Sequence, residues 1–254
     1  ELAGLRVCHV NSTGFGGGVA ELLSRHVPLA NALGIRTDWR LLQGTTDFFN
    51  VTKAMHNALQ GAPHTFTESE KAIYLHVNHE SAKQLDEDYD VFVVHDPQPA
   101  AFREAVGASS ARWIWRCHID TSAPNPEVAD FLRPYLQDYD AVIFTMREFL
   151  LPGLRPRRAA FIAPAIDPFS TKNMELSPEL CRDVVANAGV DIKRPLMVQV
   201  SRFDPWKDPM GVIDAYRLAK RDVPGLQLAL VGAIAGDDPA GWQLLAAVEA
   251  GTAD

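Results

Sequence analysis

A short apolar strand that runs through a glycine cluster into an amphipathic helix constrains this chain more than any other feature. The stretch is Val7 to Glu21, V-C-H-V-N-S-T-G-F-G-G-G-V-A-E. Leu5 to Val10 has the length and β-branched content of a buried strand. Asn11, Ser12 and Thr13 follow, then Gly14, Gly16, Gly17 and Gly18. Val19, Leu22, Leu23, Val27, Ala30 and Leu33 recur at three- and four-residue steps, one apolar stripe of a helix, and Gly34 stands where a left-handed cap ends it. The start of such a helix leaves backbone N–H groups unpaired, its dipole favours negative charge, and glycines let a phosphate approach closely. The spacing is not the dinucleotide fingerprint G-x-G-x-x-G, because Val19 stands at its last glycine. Two readings therefore stand side by side here: a phosphate cradle, and a tight turn that binds nothing.

The same design repeats. Arg36–Leu42, Val91–His95, Arg112–Cys117, Ala141–Thr145 and Ala159–Ile162 read as short strands. Between them Gln43–Leu59 reads as a loop and then a helix, and Thr67 and Glu70 have capping-box spacing for a helix running to about Leu85. A further helix spans about Glu127 to Gln137. Short apolar strands alternating with helices predict an α/β fold, a parallel sheet with both faces covered and ligands beyond the strand carboxyl ends. The turn after Val10, His95-Asp96 and His118-Ile119-Asp120 all fall at such ends and are expected to face one crevice.

Prolines at 152, 156, 164 and 168 and an irregular 167–173 place a domain boundary near residue 170, giving domains of 1–170 and 171–254. Beyond it, Pro178–Ala188, Gly211–Lys220 and Pro239–Ala250 read as helices, and Leu196–Val200 and Leu226–Val231 as strands. Two strands bury little, whereas an open α/β sheet usually has five or six. The expectation is a fragment of a longer two-lobed protein, or a second lobe that borrows packing. Residue 1 is Glu, from which a lost or trimmed natural start is expected.

A formal net charge of −8 over 254 residues gives no basic face for nucleic acid. No apolar run approaches the roughly 20 residues that span a bilayer, and no basic-then-apolar signal segment opens the chain. Cys8, Cys117 and Cys181 are scattered and lack C-x-x-C spacing, which fits a reducing cytoplasm better than a zinc site or a disulfide framework. Cys8 and Cys117 are expected as small buried hydrophobes.

Arg202 and Lys207, in the loop S-R-F-D-P-W-K-D after a strand, present a fixed fork and a point charge suited to diphosphate oxygens. Solvated surface cations are the competing reading. His118 follows W-I-W-R-C and reads either as a hydrogen-bonded structural histidine or as a catalytic one. Asp120 could orient it or bind a sugar hydroxyl, and His95-Asp96 carry the same two readings. Serine-hydrolase, zincin and P-loop motifs do not occur.

Six motifs in order extend the picture: H-V-N-S-T-G-F-G-G-G-V-A-E, F-F-N-V-T-K-A-M-H-N-A-L-Q-G, V-H-D-P-Q-P, W-R-C-H-I-D, A-I-D-P-F-S-T-K-N and S-R-F-D-P-W-K-D-P-M-G-V-I. From about residue 5 onward the chain resembles the trehalose-synthesising glycosyltransferases, retaining GT-B enzymes of glycosyltransferase family 4. The resemblance implies two Rossmann-like lobes with parallel sheets, the second incomplete here, with a nucleotide-sugar held mainly by the second lobe and an acceptor sugar mainly by the first. It implies that Gly17 and Gly18 approach the donor diphosphate, that Arg202 and Lys207 neutralise it, and that His118 lies beside the donor sugar near the reacting carbon. His95, Asp96, Asp120 and parts of 43–57 would line the acceptor pocket. The donor would be UDP- or ADP-glucose, the acceptor glucose, and no cofactor or dedicated metal would be required. The partners would be small sugars and nucleotide-sugars, without nucleic acid or membrane; a homodimer is left open.

The chain departs from the family at its end. The family's glutamate pair, E-x7-E, has no match, since after Asp238 the acidic residues are Glu249 and Asp254. From this the chain alone is expected to be weakly active or inert. A trehalose phosphorylase or sucrose-type synthase on the same scaffold, and a catalytically silent sugar- or nucleotide-binding module, are the alternatives. A nicotinamide dehydrogenase fits poorly, because the glycine fingerprint is broken and no ribose-binding acid follows the second strand.

Overall fold

The computed structural model of the chain describes residues 2–15, 17–85, 88–232 and 239–252. Gly16, Asp238 and Asp254 from the reading above lie outside the described residues. The chain divides into two units, Glu1–Ile166 and Asp167–Asp254.

Parallel pairing organises the first unit. In chain order it runs β1 (Arg6–Asn11), α1 (Gly18–Ala32), β2 (Arg36–Leu41), α2 (Thr46–Leu59), α3 (Glu68–Lys83), β3 (Val91–His95), α4 (Phe102–Val106), β4 (Arg112–Arg116), α5 (Pro126–Gln137), β5 (Ala141–Phe144) and β6 (Ala159–Phe161). The strands form one sheet in the order β2-β1-β3-β4-β5-β6, every pair parallel. Local chemistry sets the helix starts. Thr67 and Glu70 form the reciprocal capping box, Asn125 caps α5 ahead of Pro126, and Gly34 adopts φ 83° past the end of α1. The short α4 was not anticipated, because five residues carry too little periodicity to stand out.

Strand alternation divides the side chains between two faces. Cys8, Val10, Phe92, Val94, Trp113, Trp115, Val142 and Phe144 point into the core with Met55, Tyr74, Phe102 and Leu132 from α2, α3, α4 and α5. Phe92 stacks on Trp113 with centroids 4.1 Å apart. Each such side chain contributes about 1.5–3 kcal/mol on burial. The other face corrects the expectation that both are fully covered. Helix α1 packs there through Ala20 and Leu23, but Val7, Val91, Val93, Ile114 and Ile143 remain partly exposed. Cys8 and Cys117 are buried, as expected, and Cys181 is exposed.

The second unit comprises α6 (Pro178–Asn187), β7 (Leu196–Val200), α7 (Pro209–Ala219), β8 (Gln227–Val231) and α8 (Pro239–Gly251). Among the described residues its sheet has two parallel strands. Ile213, Leu226 and Val248 are buried, whereas Val198 and Val200 of β7 are 53% and 76% exposed. Two strands with open apolar side chains bury little surface, the marginal situation foreseen from the sequence.

One buried side chain ties the first unit's packing to its strand ends. The Tyr74 hydroxyl donates to the Pro97 carbonyl at 2.8 Å and accepts from the Ala101 N–H at 3.2 Å, clamping the segment after β3 onto α3. Tyr74→Phe leaves the Ala101 N–H unsatisfied and removes one of two bonds to the Pro97 carbonyl, which keeps the Ala100 N–H at 3.2 Å, and is expected to lower stability by about 1–3 kcal/mol. Urea unfolding checks this, and an unchanged midpoint with intact fold would refute the clamp.

Candidate functional site

Three strand ends meet along one edge of the first unit's sheet. Val10 pairs with Val94 and His95 with Arg116, so the chain leaves β1, β3 and β4 at neighbouring points. After β1, buried Asn11 accepts from Trp39 Nε1 at 2.6 Å and donates to the Thr13 carbonyl at 2.8 Å, fixing the entry to the glycine turn. Gly17 caps α1 in extended backbone without a side-chain bond. Glu21 N–H donates to Gly17 O at 3.0 Å, and the amides before it stand at the end where an α-helix leaves its first N–H groups without partners within the helix. A Cβ at Gly17 or Gly18 would meet nothing within 4 Å. Packing therefore does not require glycine there, and the space is open to a close approach by an anion.

After β3 the backbone takes a strained step. Asp96 has φ 64°, a region few residues other than glycine enter, and Pro97 restricts it further. Three bonds to β4 and its extension hold it: Asp96 N–H donates to the Arg116 carbonyl at 2.8 Å, Trp115 Nε1 donates to the Asp96 carbonyl at 2.8 Å, and His118 N–H donates to Asp96 Oδ1 at 2.7 Å. Burial of the carboxyl raises its pKa to about 7, with the His118 amide and nearby Arg116 pulling the other way. A short distance on, Gln98 Oε1 is buried without a hydrogen-bond partner among the described residues, an acceptor suited to a hydroxyl.

The histidines form a connected row. His9 Nδ1 lies 2.9 Å from His95 Nε2, and His95 Nδ1 lies 2.9 Å from His118 Nε2. The His95 and His118 rings are nearly parallel, at 17° with centroids 5.2 Å apart, and His26 of α1 meets the His9 ring edge-on at 5.1 Å. Burial lowers the pKa of His9 to about 3 and of His118 to about 4, and pushes His95 well below its ordinary value. Neighbouring histidines and the Arg116 guanidinium add to the effect. The rings are held neutral.

The structure thus brings Asp96, His95 and His118 together at one edge, with Gly17 and Gly18 on the segment leaving the adjacent strand. Asp120, two residues beyond His118, is exposed, and its Oδ1 accepts from Ser122 N–H at 2.9 Å, while the His118 ring is held by His95. Sequence reasoning passed over His9, His26 and Arg116. The available signal was a polar His9 and a charged Arg116 inside otherwise apolar strands.

In the second unit, Arg202 pairs with buried Asp204 at 3.3 Å. Asp204 also accepts from Trp206 N–H and so caps the 3₁₀ turn Pro205–Lys207 that exposes Lys207. Asp208, at φ 46°, then starts α7 through Gly211 N–H. The polar loop after β7 is an ordered strand-to-helix turn with both cations on it.

The sequence profile described as "Trehalose synthase, N-terminal domain" matches residues 9–151. The chain belongs to that trehalose synthase family. The trehalose synthase of Rubrobacter xylanophilus is 53% identical over 247 residues, covering 95% of this chain and 59% of that protein. That of Pyrococcus horikoshii is 48% identical, with the same coverages. The chain thus spans about three-fifths of the length of these curated relatives. A solved structure described as trehalose-6-phosphate from E. coli bound with UDP-2-fluoro glucose has a TM-score of 0.71 at 17% identity, covering 97% of this chain and 69% of that one. At that identity the likeness shows the fold, and the GT-B class expected from the motifs holds. Among the described residues no group of three or more His, Cys, Asp or Glu side chains is arranged to hold a metal ion, and no helix is long and apolar enough to cross a membrane.

The neutral histidines of this trehalose synthase family member carry a pH signature. Each has a folded pKa below its unfolded value, so unfolding takes up its proton and its stabilising contribution is lost as pH falls from about 6.5 toward 4. Asp96 has the opposite sign, since its raised folded pKa opposes folding increasingly between about pH 4 and 7. At pH 5 three imidazoles gain protons on unfolding and one carboxyl loses one, a net uptake of about two, or roughly 2–3 kcal/mol per pH unit. Urea unfolding followed by tryptophan fluorescence from pH 4.5 to 7 should show that slope near pH 5, flattening toward pH 7. A flat profile would contradict the neutral row.

Proposed function

We propose that this chain carries the acceptor side and the diphosphate-contacting loops of a retaining glycosyltransferase. It would transfer glucose from a nucleoside-diphosphate-glucose to a sugar acceptor, glucose itself giving trehalose. The observation that carries the reading is the convergence of Gly17, Asp96 and His118 on neighbouring strand ends of one sheet, which is where an α/β fold binds its ligands. Membership of a trehalose synthase family supports trehalose as the product.

In this reading the acceptor hydroxyl oxygen bonds to the anomeric carbon as the bond from that carbon to the diphosphate oxygen breaks. The departing diphosphate takes the acceptor's proton, and attack occurs on the face the leaving group quits, so configuration is retained. Charge grows on the diphosphate, and groups aimed at that charge are what accelerate the step. The assigned groups are the open amides around Gly17 and Gly18 and the cations of Arg202 and Lys207. Neutral His118 donates or accepts a hydrogen bond beside the donor sugar. Asp96 and the Gln98 amide oxygen receive acceptor hydroxyls, Asp120 serves the same pocket from its exposed turn, and His95, with both ring nitrogens engaged, holds His118 rather than the sugar. No dedicated metal enters the reading, and a cytoplasmic setting and a homodimer remain compatible with it. The E-x7-E pair, absent from this sequence, is expected from the remainder of the protein.

The test uses the full-length gene product with glucose and, in separate reactions, UDP-glucose, ADP-glucose and glucose 1-phosphate. Trehalose from a nucleotide-glucose supports the proposal. Trehalose from glucose 1-phosphate alone would replace it with a phosphorylase, and binding without any product would replace it with a silent module. Arg202→Ala is expected to weaken nucleoside-diphosphate affinity by on the order of 2–3 kcal/mol, as for loss of a charged hydrogen bond. Unchanged affinity in the folded variant removes the cation loop from the donor site.

A further inference from the structure

The row of histidines extends deeper than the proposed site needs. His118 would face the donor sugar, but His9 and His95 are 6% and 1% exposed and are bound ring to ring behind it. A neutral imidazole has one N–H and one bare nitrogen. With the two nitrogen–nitrogen contacts both at 2.9 Å, the protons have two consistent arrangements. In one, His9 Nδ1–H donates to His95 Nε2, and His95 Nδ1–H donates to His118 Nε2, so His118 carries its proton on Nδ1. In the other every bond reverses: His118 Nε2–H donates to His95 Nδ1, His95 Nε2–H donates to His9 Nδ1, and His118 Nδ1 is bare. A mixed arrangement sets two N–H groups or two lone pairs against each other.

We infer that His9, His95 and His118 form a directional hydrogen-bonded imidazole relay that fixes which ring nitrogen of His118 carries its proton, making His95 and His9 positioning residues for His118. The low proton affinity that burial imposes on all three supports this, because protonating any ring would break the one-proton-per-contact pattern. The groups packed around the row act in the same sense. His26 from α1 and Arg116 from β4 both disfavour a further positive charge, and the Asp96 carboxyl binds the His118 backbone amide. The relay decides whether His118 offers a sugar hydroxyl a donor or an acceptor at Nδ1. In that consequence it rests on the function proposed above.

The experiment reads the relay without turnover. In ¹⁵N-histidine-labelled protein, through-hydrogen-bond ¹⁵N–¹⁵N couplings are expected between His9 Nδ1 and His95 Nε2 and between His95 Nδ1 and His118 Nε2. His9→Phe is expected to shift the His118 tautomer ratio several-fold, although His9 does not touch His118. His26→Phe, which removes only a ring-edge contact, is expected to leave the ratio nearly unchanged. Lack of both couplings in the unmodified protein overturns the relay even if His9→Phe fails to fold, and so does an unchanged His118 tautomer in folded His9→Phe. Couplings present in a protein that makes no trehalose would uphold the relay and overturn the function.

Discussion

Everything at the candidate site depends on the parallel register between β1, β3 and β4. Because Val10 lies opposite Val94 and His95 opposite Arg116, residues separated by 86 and 23 positions in sequence touch through their rings. A slip of one residue would turn each strand's alternating side chains to the opposite face. It would send His9 and His95 into the space filled by Cys8, Val10 and Val94, and the row could not form. The register is held from the other side of the sheet, where Phe92, Trp113, Trp115 and Phe144 bury the larger apolar area. The hydrophobic face therefore sets the geometry of the polar one.

Stability and chemistry pull against each other on that polar face. Neutral imidazoles tolerate burial because each finds a partner, whereas a buried charge would cost far more. Asp96 is the exception that strains the arrangement twice, through a left-handed backbone and a desolvated carboxyl. Residues held this way persist only where surrounding bonds over-determine them, and three bonds to β4 and its extension do so here. Such local cost concentrated at strand ends is the usual physical mark of a working site.

Much of this was legible in the residues, for reasons that differ by element. Val91–His95 and Leu196–Val200 were delimited to the residue because apolar runs bounded by polar clusters leave little choice. The Thr67–Glu70 box was legible because capping is local chemistry. The histidine row was not, since it is a product of register between distant strands, which no local pattern encodes. His95 was singled out as a sugar-binding residue, and the structure shows its two ring nitrogens engaged by His9 and His118 instead of open to a ligand. The Asp204 link to Arg202 and the turn exposing Lys207 were likewise invisible in a string of alternating charges. Partial cover of the sheet's second face was missed because the strands read as apolar on both sides.

If the carboxyl edge of β1, β3 and β4 is a sugar site, a crystal of the protein soaked with trehalose will show it. A glucosyl ring is expected within hydrogen-bond distance of Asp96 and His118, with Gln98 Oε1 satisfied by a hydroxyl. Sugar density bound elsewhere, with this edge occupied by solvent alone, would contradict it.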